Sequence, residues 1–266
     1  HPTISSSLLE LPMPSELVHL TVTDSIATVT LNRPDKLNAL NGEMLARLDG
    51  IADELDRAND VRVVLLTGTG KAFCVGADIL EWSSLSPLEM GRRWIRDGHR
   101  IFERYARLPQ PLIAVLNGYT FGGGLELALA ADLRLAGAGV QLSFPEVKLG
   151  IIPGWGGTQR LPALIGPSRA KQMIFSGARI DAAVAEGWGL VNEVVAGEEL
   201  LARAQQLAGE IAANGPVAVQ LTKQLIDGGE MASIEALAGS LASYTADAQE
   251  GVAAFRERRT PTFSGQ

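Results

Sequence analysis

Residues 117–128, NGYTFGGGLELA, connect the end of an apolar strand at Leu116 to a helix through three consecutive glycines. Glycines at such a place let the backbone adopt strained angles and approach a ligand closely. Their N–H groups fall at the start of a helix, where donors are unpaired and the helix dipole is positive. This arrangement predicts a pocket for an oxyanion or a phosphate. Glu126, in the first helical turn, is either part of that pocket or only complements the helix dipole.

Strands and helices alternate on both sides of this stretch, through about residue 195. Strands are predicted at 17–22, 26–31, 61–67, 112–116 and 133–136, and amphipathic helices at 43–58, 87–108 and from about 124. The alternation predicts an α/β core with some parallel strands. After residue 198 the Ala-rich sequence shows only helical spacing, enough for three or four helices. We therefore expect a mobile arm at 1–15, a core at 16–197 and a helical region at 198–266.

Composition excludes several functional classes. The 266 residues include 23 Lys and Arg against 30 Asp and Glu, and a net charge of −7 argues against a nucleic-acid-binding protein. Cys74 is the only cysteine, which excludes a disulfide framework and a cysteine-based metal site and favours the cytoplasm. No apolar run approaches the roughly 18 residues of a membrane span. The first 32 residues contain no Lys or Arg, so we expect no secretory or transit leader.

A second glycine-rich segment, residues 70–79 (GKAFCVGADI), also follows a predicted strand. Asp78 is placed to cap a short helix at its end. If both strand ends present free backbone donors, the two loops can converge on one oxygen atom. The alternative is an ordinary connection between a strand and a helix.

A third such segment, residues 144–158 (FPEVKLGIIPGWGGT), contains Glu146 in a mainly apolar setting. Burial there would raise the pKa of the carboxyl group and suit an acid catalyst. The alternative is a surface glutamate paired with Lys148. The sequence has no GxSxG, HExxH or GxxxxGK[ST] motif, and its three histidines form no recognisable triad or metal site. The chemistry is therefore expected to use carboxylates and backbone amides.

Five segments, taken together, resemble the crotonase (enoyl-CoA hydratase/isomerase) superfamily in order and spacing. They are LNRPDKLNAL (31–40), KAFCVGADI (71–79), NGYTFGGGLELALAAD (117–132), FPEVKLGIIPGWGGTQRLPALIG (144–166) and AFRERRTPTF (254–263). The resemblance extends from about residue 17 to 263. It implies a crotonase-like spiral of ββα units with a C-terminal helical region for trimerisation, in homotrimers that often pair into homohexamers.

The resemblance also implies roles for individual residues. The backbone N–H groups of Ala77 and Gly123 would hold the thioester oxygen. Glu126 would activate water as a base, Glu146 would protonate the α-carbon as an acid, and the Gly154 amide would help to hold the water. The residues expected to bind the substrate and its CoA portion are Lys36, Ala39, Asp78, Ile79, Leu80, Phe255 and Arg258. The last two would reach a neighbouring subunit, the alternative being that they only pack the last helix.

The function implied is hydration of the 2,3 double bond of a 2-enoyl-CoA thioester to a 3-hydroxyacyl-CoA. Many superfamily members with other reactions lack one of the two carboxylates, so the presence of both Glu126 and Glu146 favours a hydratase. The alternatives are an enoyl-CoA isomerase, another crotonase-type acyl-CoA lyase and a non-catalytic acyl-CoA binder. CoA is part of the substrate, and no further cofactor or metal is expected.

Two residues near these motifs give further expectations. Trp155 stands where many hydratases have a small residue, and its indole is expected to shorten or reshape the pocket floor. Cys74 lies three residues before Ala77. Its alkylation is therefore expected to report on the site, with protection by a CoA thioester. The sequence leaves the acyl group open.

Overall fold

The computed structural model describes residues 17–228 and 232–266, so the arm predicted at 1–15 lies outside the described residues. The strands are β1 (Val18–Thr23), β2 (Ile26–Leu31), β3 (Val63–Gly68), β4 (Ala72–Cys74), β5 (Leu112–Leu116), β6 (Tyr119–Phe121), β7 (Leu133–Gly137), β8 (Gln141–Ser143), β9 (Ile180–Asp181) and β10 (Glu193–Val195). The α-helices are α1 (Gly42–Asp56), α2 (Ile79–Trp82), α3 (Pro87–Glu89), α4 (Arg96–Ala106), α5 (Gly123–Ala128), α6 (Gly157–Ser176), α7 (Ala182–Trp188), α8 (Leu200–Ala212), α9 (Pro216–Gly228), α10 (Ala232–Ser243) and α11 (Ala246–Glu257). Short 3₁₀ turns lie at Pro34–Lys36 and Glu146–Leu149, and a π-helical segment lies at Met90–Ile95.

Two sheets, one large and one small, run side by side through the core. The large sheet has six strands in the order β1-β2-β3-β5-β7-β10, all parallel except the β1–β2 pair. The small sheet has the order β4-β6-β8-β9, with β4, β6 and β8 parallel. The chain passes from β3 to β4, from β5 to β6 and from β7 to β8, each time moving from the large to the small sheet before a helical segment. This repeated step confirms the predicted spiral of ββα units.

The central strands of the large sheet are buried on both faces, which explains their continuous apolar sequence. Val64 and Leu66 belong to the main core with residues of α1 and α4. Val63 and Leu65 point the opposite way and pack with Ala204 of α8. The first helix of the predicted C-terminal region therefore covers one face of the core sheet.

The structure differs from the sequence prediction in two details. The helix predicted at 87–108 is interrupted, because the π-helical segment separates α3 from α4. Strands β4, β6, β8, β9 and β10 were not predicted, since runs of two or three residues are too short to show alternation. These short strands nevertheless carry the loops that form the candidate site.

Polar contacts join the C-terminal region to the core. Lys223 of α9 donates from Nζ to a carboxylate oxygen of Asp132 at 2.8 Å and to the Gln110 carbonyl at 3.1 Å. Arg62 donates to the Ala212 carbonyl at 3.0 Å and to the Phe263 carbonyl at 2.7 Å. No helix within 17–228 or 232–266 combines the length and apolar character that a membrane crossing requires.

Candidate active site

A cavity of about 420 Å³ opens where the two glycine-rich loops meet the segment that follows β8. Most of its wall is apolar. Glu126 and Glu146 are the only charged side chains among the described residues that line it. Ala77, Ile79, Gly123 and Gly154 line it as well, so six of the sequence-predicted site residues come together here.

Two backbone amides face this cavity. Leu40 forms a parallel bridge with Ala77, in which it donates to the Gly76 carbonyl and accepts from the Asp78 amide, each at 2.8 Å. Gly76 and Asp78 make these two bonds, so Ala77, which lies between them, points its own N–H to the opposite side. That side is the cavity. Gly123 is the first residue of α5, so its N–H has no acceptor within the helix.

The two amides lie next to each other, as the sequence predicted. A Cβ built on Gly123 would lie 3.5 Å from the Ala77 nitrogen, and one on Gly76 would lie 3.2 Å from the Gly123 nitrogen. Gly76 and Gly122 have positive φ angles of 106° and 51°, which side chains rarely allow. A Cβ on Gly122 would also lie 2.8 Å from a carboxyl oxygen of Glu146. Glycine is thus required for the loops to approach each other and the carboxyl group.

Glu126 projects from α5 and is held by another loop. Its Oε1 accepts hydrogen bonds from the backbone amides of Trp155 at 2.7 Å and Gly157 at 2.8 Å. Burial raises the pKa of Glu126 to about 7, while the amides of Gly157, Trp155 and Gly154 oppose that rise. The carboxyl group therefore does more than complement the helix dipole.

Glu146 begins the 3₁₀ turn Glu146–Leu149 and is also buried. Its Oε2 has no hydrogen-bond partner among the described residues. Burial, together with a smaller contribution from the negative charge of Glu126, raises the pKa of Glu146 to about 7. None of the ion pairs among the described residues joins Glu146 to Lys148, so the alternative of a surface pair is wrong.

The π-helical segment supplies part of the apolar wall. Met90, Trp94 and Ile95 all line the cavity. Trp94 and Ile95 follow Met90 by four and five residues. This spacing places the three side chains on one side of a π-helix, whereas it would spread them further around an α-helix. The helical period of the sequence does not reveal this change.

Residues predicted to bind CoA lie beside the start of α2. Ile79 and Leu80 are 49% and 80% exposed, and Ile79 lines the cavity. Asp78 accepts from Leu80 N at 3.1 Å, which confirms the predicted helix cap. Lys36 is exposed and close enough for its charge to help lower the pKa of Asp78.

The sequence did not single out Arg33, whose guanidinium joins these elements. It lies 2.6 Å from an Asp78 oxygen and 2.9 Å from the carbonyl of the half-buried Ala39. Its hydrogen bond is the main cause of the lowered pKa of Asp78. Phe255 and Arg258 are both exposed at the end of α11 and are not among the residues that line the cavity.

Cys74 does not behave as the sequence led us to expect. Its side chain is completely buried beneath the Gly76 loop, and burial raises the pKa of the thiol to about 12. Alkylation requires an accessible thiolate. The thiol is therefore no probe of the folded site, although it does lie behind the Ala77 loop.

Comparisons with known proteins all indicate the same protein family. A family model described as "Enoyl-CoA hydratase/isomerase" matches residues 21–266. The chain is 42% identical over 241 residues to the short-chain-enoyl-CoA hydratase of Clostridium acetobutylicum, which covers 88% of this chain and 92% of that protein. It is 40% identical over 261 residues to the crotonyl-CoA hydratase of Syntrophomonas wolfei subsp. wolfei, with coverages of 94% and 99%. The crystal structure of enoyl-CoA hydratase from Bacillus anthracis superposes with a TM-score of 0.91 at 40% identity, over 94% of this chain and 100% of that chain.

Proposed function

The chain belongs to the enoyl-CoA hydratase/isomerase family, and we propose that it is a hydratase that adds water across the 2,3 double bond of a 2-enoyl-CoA thioester. The observation that carries the proposal is the pair of buried carboxyl groups, Glu126 and Glu146, on one apolar cavity with two free amides. An acid and a base on one double bond are what the addition of water requires.

Hydrogen bonding distinguishes the roles of the two carboxyl groups. Two backbone amides donate to Glu126, which favours its ionised form, and we assign it as the base. Glu146 has an unpartnered buried oxygen and faces the negative charge of Glu126, so we assign it as the protonated acid. Because each charge influences the other, the two groups titrate as a coupled pair.

The reaction then proceeds with a balanced transfer of protons. Glu126 removes a proton from water as the water oxygen bonds to C3 of the substrate. The electron pair of the double bond moves toward the thioester, and negative charge develops on its oxygen. Glu146 delivers its proton to C2, which completes a 3-hydroxyacyl-CoA. The proton on Glu126 returns to solvent, and Glu146 takes up another.

The Ala77 and Gly123 amides are assigned to the thioester oxygen. A fixed donor at a developing oxyanion is worth about 2.7–4 kcal/mol in enzymes that use one. Both donors belong to the backbone, and their positions are fixed by the Leu40 bridge and by the start of α5. The Gly154 amide, close to Glu126, is assigned to the water.

An assay with crotonyl-CoA tests the proposed function. We expect the absorbance of the conjugated thioester to fall and a product to appear that is heavier by one water molecule. An isomerase would instead convert a 3-enoyl-CoA to its 2-enoyl isomer without a change in mass. Binding of crotonyl-CoA without turnover would indicate a non-catalytic binder and contradict the proposal.

We further propose that the CoA portion lies along the Pro34–Lys36 turn and the start of α2. CoA is strongly anionic and the whole protein carries a net charge of −7, so local cations must supply the attraction. Lys36 and, from a neighbouring subunit, Arg258 are the proposed cations, with Phe255 beside the latter. A cytoplasmic location, suggested by the single cysteine, stays a prediction.

Assembly into a homotrimer or homohexamer is proposed from the surface of the last helices. Large apolar side chains there have exposed fractions of 58–84%: Ile226, Leu237, Leu241, Tyr244 and Phe255. Exposed apolar groups at this density are typical of surfaces that bind another protein.

A charge placed on this surface is expected to separate the subunits. The double variant Leu237→Arg/Leu241→Arg should be a monomer in light scattering, whereas the unaltered protein should be a trimer or hexamer. Val22→Arg, on the exposed edge strand β1, is the matched control and should keep the assembly. A double variant with an unchanged mass would show that subunits meet elsewhere.

A further inference from the structure

The indole of Trp155 is held tightly at the inner end of the cavity. It lines the cavity but is only 3% exposed. Its Nε1 donates to the Trp94 carbonyl at 3.1 Å. The ring packs at 5.5 Å from the ring of Trp94 and meets Phe102 edge-on at 5.2 Å.

Two helices leave room for this ring by presenting glycine to it. A Cβ on Gly98 of α4 would lie 2.3 Å from the indole, and a Cβ on Gly123 of α5 would lie 2.7 Å from it. Both distances are far below ordinary contact, so the ring occupies all the space between the two backbones. Because backbone cannot yield as a flexible side chain does, the indole is a fixed wall.

This wall lies directly behind the proposed chemistry. Gly123 supplies one of the amides assigned to the thioester oxygen, and the backbone N–H of Trp155 itself donates to Glu126. Glu126, Glu146 and the Trp155 and Trp94 rings line the same cavity, so an acyl chain whose C2 and C3 lie between the two carboxyl groups is expected to extend toward the rings. The carbon atoms beyond C3 must fit in front of these rings or displace them.

We propose that Trp155 sets the acyl-chain specificity of the enzyme by closing the cavity just beyond the reacting carbons, so that short 2-enoyl thioesters such as crotonyl-CoA are the preferred substrates. This inference rests on the proposed hydratase function. Excess length weakens binding because the rings cannot move aside, and a mismatch of one methylene group in an apolar pocket typically changes kcat/KM by about 10- to 200-fold.

The test compares kcat/KM for crotonyl-, hexenoyl- and decenoyl-CoA in the unaltered protein and in Trp155→Ala and Trp155→Phe variants. We expect the unaltered protein to prefer crotonyl-CoA over decenoyl-CoA by about 100-fold. Trp155→Ala should reduce that ratio by about tenfold or more, chiefly through faster turnover of the long chain, with Trp155→Phe between the two. Trp188→Ala removes a half-buried tryptophan of α7 outside the cavity and should leave the ratio unchanged.

The possible failures are distinguishable. If the unaltered protein turns over none of the thioesters, the proposed function is overturned and the inference falls with it. If it hydrates crotonyl- and decenoyl-CoA equally well, the hydratase function holds and the role of Trp155 is overturned. Should Trp155→Ala not fold, the same ratio measured in Trp155→Phe decides, since a ring of smaller size keeps most of the packing. A ratio unchanged in that folded variant also overturns the inference.

Discussion

Glu126→Gln and Glu146→Gln are each expected to lower kcat for crotonyl-CoA hydration by about a thousandfold, while neither variant loses stability at neutral or alkaline pH. The loss of activity follows from the loss of a positioned proton donor or acceptor, which contributes about 10²–10⁴ in rate. In the double variant the two losses of kcat should not be additive, because base and acid act on one double bond in one step.

The expected stability follows from the raised pKa values. Burial raises the pKa of both Glu126 and Glu146 from 4.5 in the unfolded chain to about 7 in the folded protein. Between pH 4.5 and about pH 7 the folded protein therefore retains protons on these two groups that the unfolded chain releases. The free energy of unfolding therefore falls as pH rises from about 4.5 to about 7, and above that range the whole penalty is present. A glutamine carries no charge and removes the penalty.

Glutamine also preserves the local hydrogen bonds. At position 126 an amide oxygen can still accept from the Trp155 and Gly157 amides, as Oε1 does in the unaltered protein. Thermal denaturation should thus give an equal or higher Tm for both variants at about pH 8, and no such gain at about pH 4, where both carboxyl groups are already neutral.

The combination of inactivity with preserved stability is the decisive result. Glu198→Gln, at an exposed glutamate outside the cavity, is the matched control and should change neither kcat nor Tm. Near-normal hydration by either site variant would refute the assigned roles. A lower Tm at alkaline pH together with lost activity would instead show that the two carboxyl groups are structural.

Much of the site could be predicted from sequence because its parts follow a local rule. A glycine-rich turn after an apolar strand presents free amides wherever it occurs, and two such turns at the ends of adjacent strands must meet. The convergence of Ala77 and Gly123 follows from this rule, as does the burial of Glu146 in an apolar segment. These features depend on residues that are close together in the chain.

Other features depend on contacts between distant residues, and no local pattern records them. Gly98 lies in an ordinary amphipathic helix, and only the structure shows that it clears space for Trp155, 57 residues further along. The complete burial of Cys74 was missed for the same reason, since nothing in a glycine-rich sequence indicates how deeply a thiol is buried. Asn38 belongs to the same class, because the segment 31–40 was interpreted only as a loop that contacts CoA.

Asn38 is in fact a buried connection between that loop and the small sheet. Its side chain is fully buried, and its Nδ2 donates to the carbonyls of Ala72 at 2.8 Å, Thr69 at 3.0 Å and Phe73 at 3.1 Å. Its Oδ1 accepts from the Arg33 amide at 2.8 Å. Two residues later, Leu40 forms the bridge that orients the Ala77 amide. The Asn38 side chain thus links the loop that contains Leu40 to strand β4, and in this way helps to hold the bridge that orients the Ala77 amide.

Asn38→Asp is therefore expected to be among the most damaging changes of a single side-chain group in this protein, with a loss of about 3 kcal/mol or more in the free energy of unfolding at about pH 8. The carboxylate would replace a donor with an acceptor that faces three carbonyl oxygens, in a fully buried position. The backbone is not the cause, since φ of Asn38 is 57° and Asp tolerates this left-handed region almost as well as Asn. Urea denaturation at two pH values provides the measurement.

The pH dependence separates charge from lost packing. A buried aspartate surrounded by carbonyl groups has a raised pKa, so its penalty is small near pH 4 and grows as pH rises above the unfolded value of about 3.9. Asn38→Ala removes the same hydrogen bonds without a charge, so its penalty should not depend on pH. If both variants lose the same stability at both pH values, the loss comes from the missing hydrogen bonds and not from a buried charge. If both variants lose kcat at mild pH while still folded, the hydrogen bonds of Asn38 to the carbonyl groups position the Ala77 amide, because only a shift of the loop then connects this buried group to the reaction.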